Sequence, residues 1–311
     1  MSHFQRAPNE PRRRDACAAE GALIKKERFR YYPERPNPES ARRIVQSWDN
    51  ASKANKTNNY SVCTTWLELG SERIHKLSKS RFVAGIHCER RLWLLANRPG
   101  ERREPTQAEI HRMEFGTTFG RDVTKLFEDG VEIGADHRHP KRALDETVEK
   151  LGGKAPALFE AAFLHHDVLI RADVLKRSQT HSGSWDLIEV KSSSNSESSR
   201  RKNLKKYTSD MAVQLYVLEG AGIAVDSISL ALVNSDYERN GDLDWNQLVV
   251  IEDHSDAVRT RTTGIGKELD HFLDMIDRPE MPEAVYGKTK CEECEFNQVC
   301  WSEEPDDSII H

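Results

Sequence analysis

Three short apolar runs, ALFEAAFLHH, DVLIRADVL and WDLIEVKSS, follow one another between residues 157 and 193 and constrain this chain more than any other feature. Runs of this length and partial alternation, separated by HHD and SQTHSGS, predict a meander of three strands. Each run carries an acid: Glu160, Asp173 and Glu189. An acid within an apolar strand costs free energy unless it is paired or binds a cation. Glu189 and Lys191 are separated by one residue, so a strand points both to the same face. Pairing through the intervening loop would set Asp173 beside Glu189. Two carboxylates suit a hard divalent cation, Mg²⁺ or Mn²⁺, and an ammonium beside it suits phosphoryl chemistry. An ordinary Glu–Lys pair on a solvated strand explains the three residues about as well.

The flanking stretches supply helices. SKSRFVAGIHCERRLWLLANRP predicts one helix, capped by Ser78 and stopped before Pro99, with Phe82, Ile86, Leu92 and Leu95 at helical spacing. A second runs from about Thr106 to Phe127, where Gly116 and Gly120 on one face would permit close approach of another backbone. RKNLKKYTSDMAVQLYVLEGAG reads as a helix ending at Gly220 or Gly222. SISLALVNSDY and NQLVVIED read as further strands, and AVRTRTTGIGKELDHFLDMI as a helix. Residues 1–75 are rich in breakers (Pro8, Pro11, Pro33, Pro36, Pro38) and in polar residues. They read as a basic, poorly structured extension with short helices around 15–29 and 39–48. The folded domain is expected over 76–302, followed by a tail, 303–311.

The 311 residues suffice for one large core or two modest domains. No apolar run reaches the length of a spanning helix, and MSHFQRAPNEPRRRD has no apolar stretch behind its basic residues, so a cytoplasmic protein without membrane contact is expected. The net charge of −5 argues against a nonspecific nucleic-acid coat, although residues 1–80 hold 16 Lys and Arg against 9 Asp and Glu. Six cysteines occur, and Cys291, Cys294 and Cys300 form C-x2-C-x5-C, a ligand pattern. A tetrahedral site needs a fourth group. Cys88 is the candidate, with a buried inert thiol as its alternative; His87 and His311 are weaker substitutes, and Cys17 and Cys63 look incidental.

RADVL, then WDLIEVKSS, then DMAVQLYVLEGAG resembles the RecB-like branch of the PD-(D/E)XK nuclease superfamily. The resemblance implies an α/β, restriction-endonuclease-like core with a central mixed sheet flanked by helices. It implies that Asp173, Glu189 and the Val190 carbonyl bind metal, that Lys191 assists a water, and that Gln214 and Tyr216 lie near the metal or the DNA backbone. The family's glutamine–tyrosine spacing is wider, and Leu218 stands at the wider position. An upstream acid or histidine is also implied. Position 120 is glycine, which leaves Glu114 and Glu160 as candidates, Glu160 the favoured one.

One cysteine before this core and three after it resembles the iron–sulfur RecB-like nucleases, among them CRISPR-associated RecB-like exonucleases and the nuclease domain of AddAB-type enzymes. Cys88, Cys291, Cys294 and Cys300 would then hold a [4Fe–4S] cluster that joins the chain ends, with Zn²⁺ the physical alternative. Arg200, Arg201, Lys202, Lys205 and Lys206 follow the catalytic strand and could meet phosphates; Arg90, Arg91, Arg102 and Arg103 form a second basic candidate. The implied function is a metal-dependent DNA exonuclease on single strands or duplex ends. The alternative is a catalytically dispensable module of a repair or CRISPR-type complex. A helicase would be a separate partner, since no phosphate-binding G-x-x-x-x-G-K-[ST] loop occurs.

Overall fold

The computed structural model describes residues 41–49, 62–69, 74–135 and 138–302, the first two segments by backbone alone. The chain divides into two units, Met1–Arg73 and Ile74–His311. In the first, β1 (Ala41–Asp49) and β2 (Val62–Leu69) pair antiparallel. The helix expected around 39–48 is therefore a strand, in keeping with Ile44, Val45 and Trp48 in that stretch. The helix expected at 15–29 and the tail 303–311 lie outside the described residues, as do Cys17 and His311.

The second unit is an α/β fold on a seven-stranded mixed sheet. It opens with β3 (Leu77–Ser78), α1 (Lys79–His87), α2 (Glu89–Asn97) and α3 (Gln107–Val123). After β4 (Val131–Glu132) and α4 (Pro140–Leu151) comes the expected meander, β5 (Ala157–His165), β6 (Val168–Arg177) and β7 (Trp185–Ser194), antiparallel throughout. The long helix α5 (Glu197–Gly220) ends where its glycines predict and returns the chain to β8 (Val225–Val233), parallel to β7. A one-turn helix, α6 (Trp245–Leu248), leads into β9 (Val249–Asp253), antiparallel to β8, and α7 (Ser255–Thr262) and α8 (Ile265–Asp277) follow. The order across the sheet is β4-β5-β6-β7-β8-β9, with β3 parallel to the start of β6. No helix among the described residues is long and apolar enough to cross a membrane.

Two cores fill the faces. The larger gathers α1, α2, α4, α5 and α8 against one side of the sheet, with Phe82, Leu92, Met211, Leu215, Leu269 and Phe272 buried. The smaller sets Phe119 and Val123 of α3 against Phe159, Val174, Ile188 and Ala231. The helix α3 starts where the sequence predicts, because Thr106 and Glu109 complete a reciprocal capping box.

Three expectations are corrected. The single helix expected over 78–98 breaks at Cys88, whose extended backbone ends α1 and begins α2. Tight packing explains the break: a Cβ on Gly85 would sit 2.8 Å from both Leu92 and Phe272, so α1 must fold back closely on its neighbours. The helix through AVRTRTTGIGKELDHFLDMI is likewise two, broken at Thr263 and Gly264. Gly116 and Gly120 admit no close backbone: a Cβ on Gly116 would meet only Ser192 Oγ, at 3.7 Å, and one on Gly120 nothing within 4 Å among the described residues.

Candidate active site

The site lies at a fork in the sheet. β3 pairs with β6 at Val168 and Leu169, whereas β7 pairs with β6 only from Val174 onward. Between them the edge of β6 is open, and Asp173 stands at its upper end. Continuing the register Val174↔Ile188 by one step brings Asp173 opposite Glu189. There the strands part, and Asp173 Oδ2 itself accepts the Val190 N–H at 2.8 Å.

A break in strand periodicity turns Asp173 inward. Ala161 and Ala172, paired across β5 and β6, belong to the larger core, whereas the pair Phe159 and Val174 belongs to the smaller one. Residues two apart on a regular strand share a face, so the pattern flips at the intervening rung, Glu160 and Asp173. Glu160 has φ of 56°, the left-handed conformation, and it absorbs the flip. Asp173 thereby comes to the α5 side, where Glu189 also points.

Around these acids the chain assembles a closed charge network. Lys191 Nζ donates to Glu189 Oε1 and to Asp210 Oδ2, both at 2.6 Å. Lys79 Nζ, at the first position of α1, is 3.1 Å from each Glu189 oxygen and 3.7 Å from Asp173 Oδ1. Gln214 Nε2 donates to Glu189 Oε2 at 2.7 Å and to the Asp210 carbonyl at 3.2 Å. The Glu189 side chain is fully buried, while those of Asp173 and Lys79 retain 24% and 20% exposure, so solvent and ligand reach the site from their side. Burial, together with Glu189, pushes the Asp173 carboxyl up to about 7 against the pull of Lys79 and Lys191. Burial opposes Glu189 as well, but Lys191 and Lys79 hold it well below the usual carboxylate range. Burial works against both ammonium groups too, yet Asp173, Glu189 and Asp210 raise Lys79 and Lys191 above the ordinary lysine value.

Asp173, Glu189, Lys191 and Gln214 thus meet as expected, and sequence reasoning missed two members, Lys79 and Asp210. Asp210 carried a readable signal, an acid one helical turn before Gln214 within the apolar run MAVQLYVL. Lys79 carried none, since it lies 110 residues from Glu189 in the chain.

Other expectations fail on geometry. Glu160 is bound by Arg171, whose Nε donates to Glu160 Oε2 at 3.0 Å while its other nitrogens hold the Ala135 and Ile133 carbonyls. Its place is structural, and the third carboxylate of the site is Asp210. Glu114 is exposed beside His111 on α3. Tyr216 faces away from Gln214, because two helical steps turn it by about 200°. Its hydroxyl bonds His166 Nδ1 at 2.9 Å, and His166 Nε2 bonds Asp270. The basic stretch is the first turns of α5 rather than a loop. Arg200 is tied to Glu252 and Asn195, and Arg201 to Glu197, which leaves Lys202, Lys205 and Lys206 as its exposed cations without an ion pair among the described residues. In the second basic group, Arg91 and Arg103 are engaged with Glu295 and Glu109.

The four candidate cysteines come to one cavity. Cys88 from the α1–α2 break meets Cys291 in α9 (Lys288–Glu292), Cys294, and Cys300 in α10 (Asn297–Trp301) along its lining, which His87 and Phe296 share. The C-terminal segment is clipped there by Arg91, which donates to both Glu295 oxygens at 2.9 and 3.1 Å, and by Arg103 N–H to the Glu295 carbonyl at 3.0 Å. His87 Nε2 engages the Lys290 carbonyl at 3.3 Å, which commits it to the backbone rather than to a ligand set. Burial pushes the Cys300 thiol up to about 11 and raises that of Cys294.

Among the described residues no three His, Cys, Asp or Glu side chains converge as a ready metal-binding set. In the carboxylate centre, the two lysines divide the acids between them. The donor chemistry nevertheless fits a hard cation, with oxygens from Asp173 and Glu189 at an open edge. One buried acceptor beside them, Gln214 Oε1, has no hydrogen-bond partner among the described residues. An orphaned acceptor of this kind costs about 1–3 kcal/mol, and a water brought by a hydrated cation would satisfy it.

No protein-family model matches the sequence, and no curated protein does. Among solved structures, the chain is similar to the alkaline exonuclease of Laribacter hongkongensis, at 13% identity over 66% of this chain and 89% of that one, with a TM-score of 0.36. The same exonuclease in complex with dAMP matches at 14% identity over the same shares, with a TM-score of 0.36. The protein SSO0001 matches at 16% identity over 76% of this chain and 89% of that one, with a TM-score of 0.34. The reading of the site therefore rests on its own geometry.

Proposed function

We propose that this chain is a divalent-cation-dependent nuclease of the PD-(D/E)XK type that hydrolyses phosphodiester bonds in DNA, acting on single strands or duplex ends. The observation that carries the reading is the convergence of Asp173, Glu189 and Lys191 on one face of a sheet fork, with Gln214 and Asp210 aligning them. Asp173 and Glu189, with the Val190 carbonyl, are the groups that would hold Mg²⁺ or Mn²⁺, which supplies Lewis acidity toward the phosphodiester. Lys191 is fixed by Glu189 and Asp210 so that its remaining proton can orient the attacking water and stabilise charge developing on the phosphate. Gln214 fixes the Glu189 carboxylate. Lys202, Lys205 and Lys206 offer charge to the strand's phosphates without reading bases.

Cys88, Cys291, Cys294 and Cys300 are read as ligands of a [4Fe–4S] cluster, with Zn²⁺ as the alternative. That all four line one cavity supports this, and the thiols would have to draw together on binding, since among the described residues no three of them already form a metal-holding set. The branch is read as RecB-like and the setting as cytoplasmic, with a helicase or with repair or CRISPR-type proteins as partners. Anaerobically purified protein, incubated with labelled single-stranded DNA in Mn²⁺, Mg²⁺ or EDTA, tests the proposal. Cleavage that needs the cation and disappears in Asp173→Ala is expected. Absence of cleavage from protein with its cysteine site filled would replace the enzyme with a binding module of a larger complex.

A further inference from the structure

The charge count at the fork leaves one residue unexplained. Asp173, Glu189 and Asp210 bring three carboxylates, and Lys191 alone serves the chemistry proposed above. It is bound on the side of Glu189 that faces Asp210. Lys79 lies on the other side, equidistant from both Glu189 oxygens and within 3.7 Å of Asp173. That is the place between two carboxylates where a divalent cation would bind. We propose that Lys79 is the internal counter-ion of this centre, holding the cation seat until a divalent metal displaces its ammonium. The inference rests on the metal-dependent reading of the same site.

Three features support a side chain that holds the seat and can leave it. The first is reach. Lys79 is the first residue of α1, directly after Ser78, whose pairing with Leu169 anchors its backbone at the open edge of β6. The side chain therefore approaches along the fork from a fixed base, and its four-carbon stem has freedom to swing. The second is electrostatic. Lys191 is shared between Glu189 and Asp210, so without a second cation Asp173 would stand beside fully buried Glu189 with too little positive charge, and undercompensated buried charge is costly. A lysine at the seat stabilises the metal-free chain and, by the same measure, weakens metal binding, because the two cations compete for the same oxygens. The third is contact. Among the described residues the Lys79 ammonium is paired with Glu189 and Asp173, whereas that of Lys191 is also tied to Asp210 and lies 5.5 Å from the Tyr207 ring centroid. Of the two ammonium groups, Lys79 therefore has the fewer partners there.

The test measures metal binding without DNA. Mn²⁺ titrated into the full-length protein, followed by the electron paramagnetic resonance of the free ion, gives the dissociation constant directly. Lys79→Met, which keeps the stem and removes the charge, should bind Mn²⁺ at least about tenfold more tightly than wild type. Lys79→Arg, which keeps the charge, should bind no more tightly. If Lys79→Met does not fold, Lys79→Gln carries the same expectation. On the unmodified chain, acetylation of the Lys79 amine should be several-fold faster in Mn²⁺ than in EDTA, because the displaced ammonium faces solvent. Unchanged or weaker Mn²⁺ binding in the neutral variants, or acetylation that Mn²⁺ does not accelerate, would overturn the proposal. Asp173→Asn separates the two readings. If it abolishes Mn²⁺ binding while Lys79→Met binds like wild type, only the counter-ion role fails. If neither wild type nor Lys79→Met binds Mn²⁺, the metal-dependent reading falls with it.

Discussion

The charge network and the cysteine cavity sit at the two ends of one helix and are built in opposite ways. α1, nine residues long, offers Lys79 at its first position and Cys88 at its C-terminal cap, about 13 Å apart along the axis. At the first end each acid has a basic or amide partner within the chain, because buried charge is tolerated only when compensated. At the second end the reactive groups are thiols, which are cheap to bury neutral, and burial shifts Cys294 and Cys300 further toward that form. Other groups hold that end in place, notably Arg91 with Glu295 and the Tyr286 hydroxyl donating to the Cys300 carbonyl at 3.0 Å. On the proposed reading, one centre would give up an internal cation before taking metal, and the other would give up protons.

The contrast can be broken from either side. Glu189→Ala removes the shared partner of both lysines. It should lower cleavage by roughly 10³-fold or more and cost about 3 kcal/mol in urea unfolding of the metal-free protein. Full stability in that variant would mean that the network is not what compensates the site. Cys88→Ser should reduce bound iron or zinc to background by elemental analysis while circular dichroism keeps its helical signal, since the clips on the C-terminal segment remain. Loss of the helical signal would show the cavity, not the clips, to be the fastening. Arg91→Ala tests the clip itself, with an expected loss of about 2 kcal/mol in the same unfolding assay and little change in Mn²⁺ affinity. Thr106→Ala serves as the control distant from both ends. Removing the α3 cap should cost about 1 kcal/mol and leave cleavage and cofactor content as they were.

Much of this arrangement could be read from the residues in order. The meander of β5, β6 and β7, the extent of α5 and its glycine stop, and the shared face of Glu189 and Lys191 all follow from periodicities within a few residues. Gln214 and the three C-terminal cysteines were legible as motifs. Asp210 carries a comparable signal, an acid one helical turn before Gln214 on the same predicted helix. Glu160 reads as a ligand because it is an acid in an apolar strand, and its side chain is instead occupied by Arg171.

What the sequence by itself determined is local: the strand and helix periods, the caps at Ser78 and Thr106, and the carboxylates and ammonium placed to act together. Only the tertiary structure decided that α1 breaks at Cys88, that the rung of Glu160 and Asp173 flips from one core to the other, and that Lys79 enters a site more than ninety residues downstream. The physical reason is one of range. Periodicity and capping are set by neighbours three or four residues away, whereas the fork at β6 forms where β3, from far upstream in the chain, pairs with one stretch of that strand and β7 with another. The charges that meet there are compensated by whatever that pairing brings within reach.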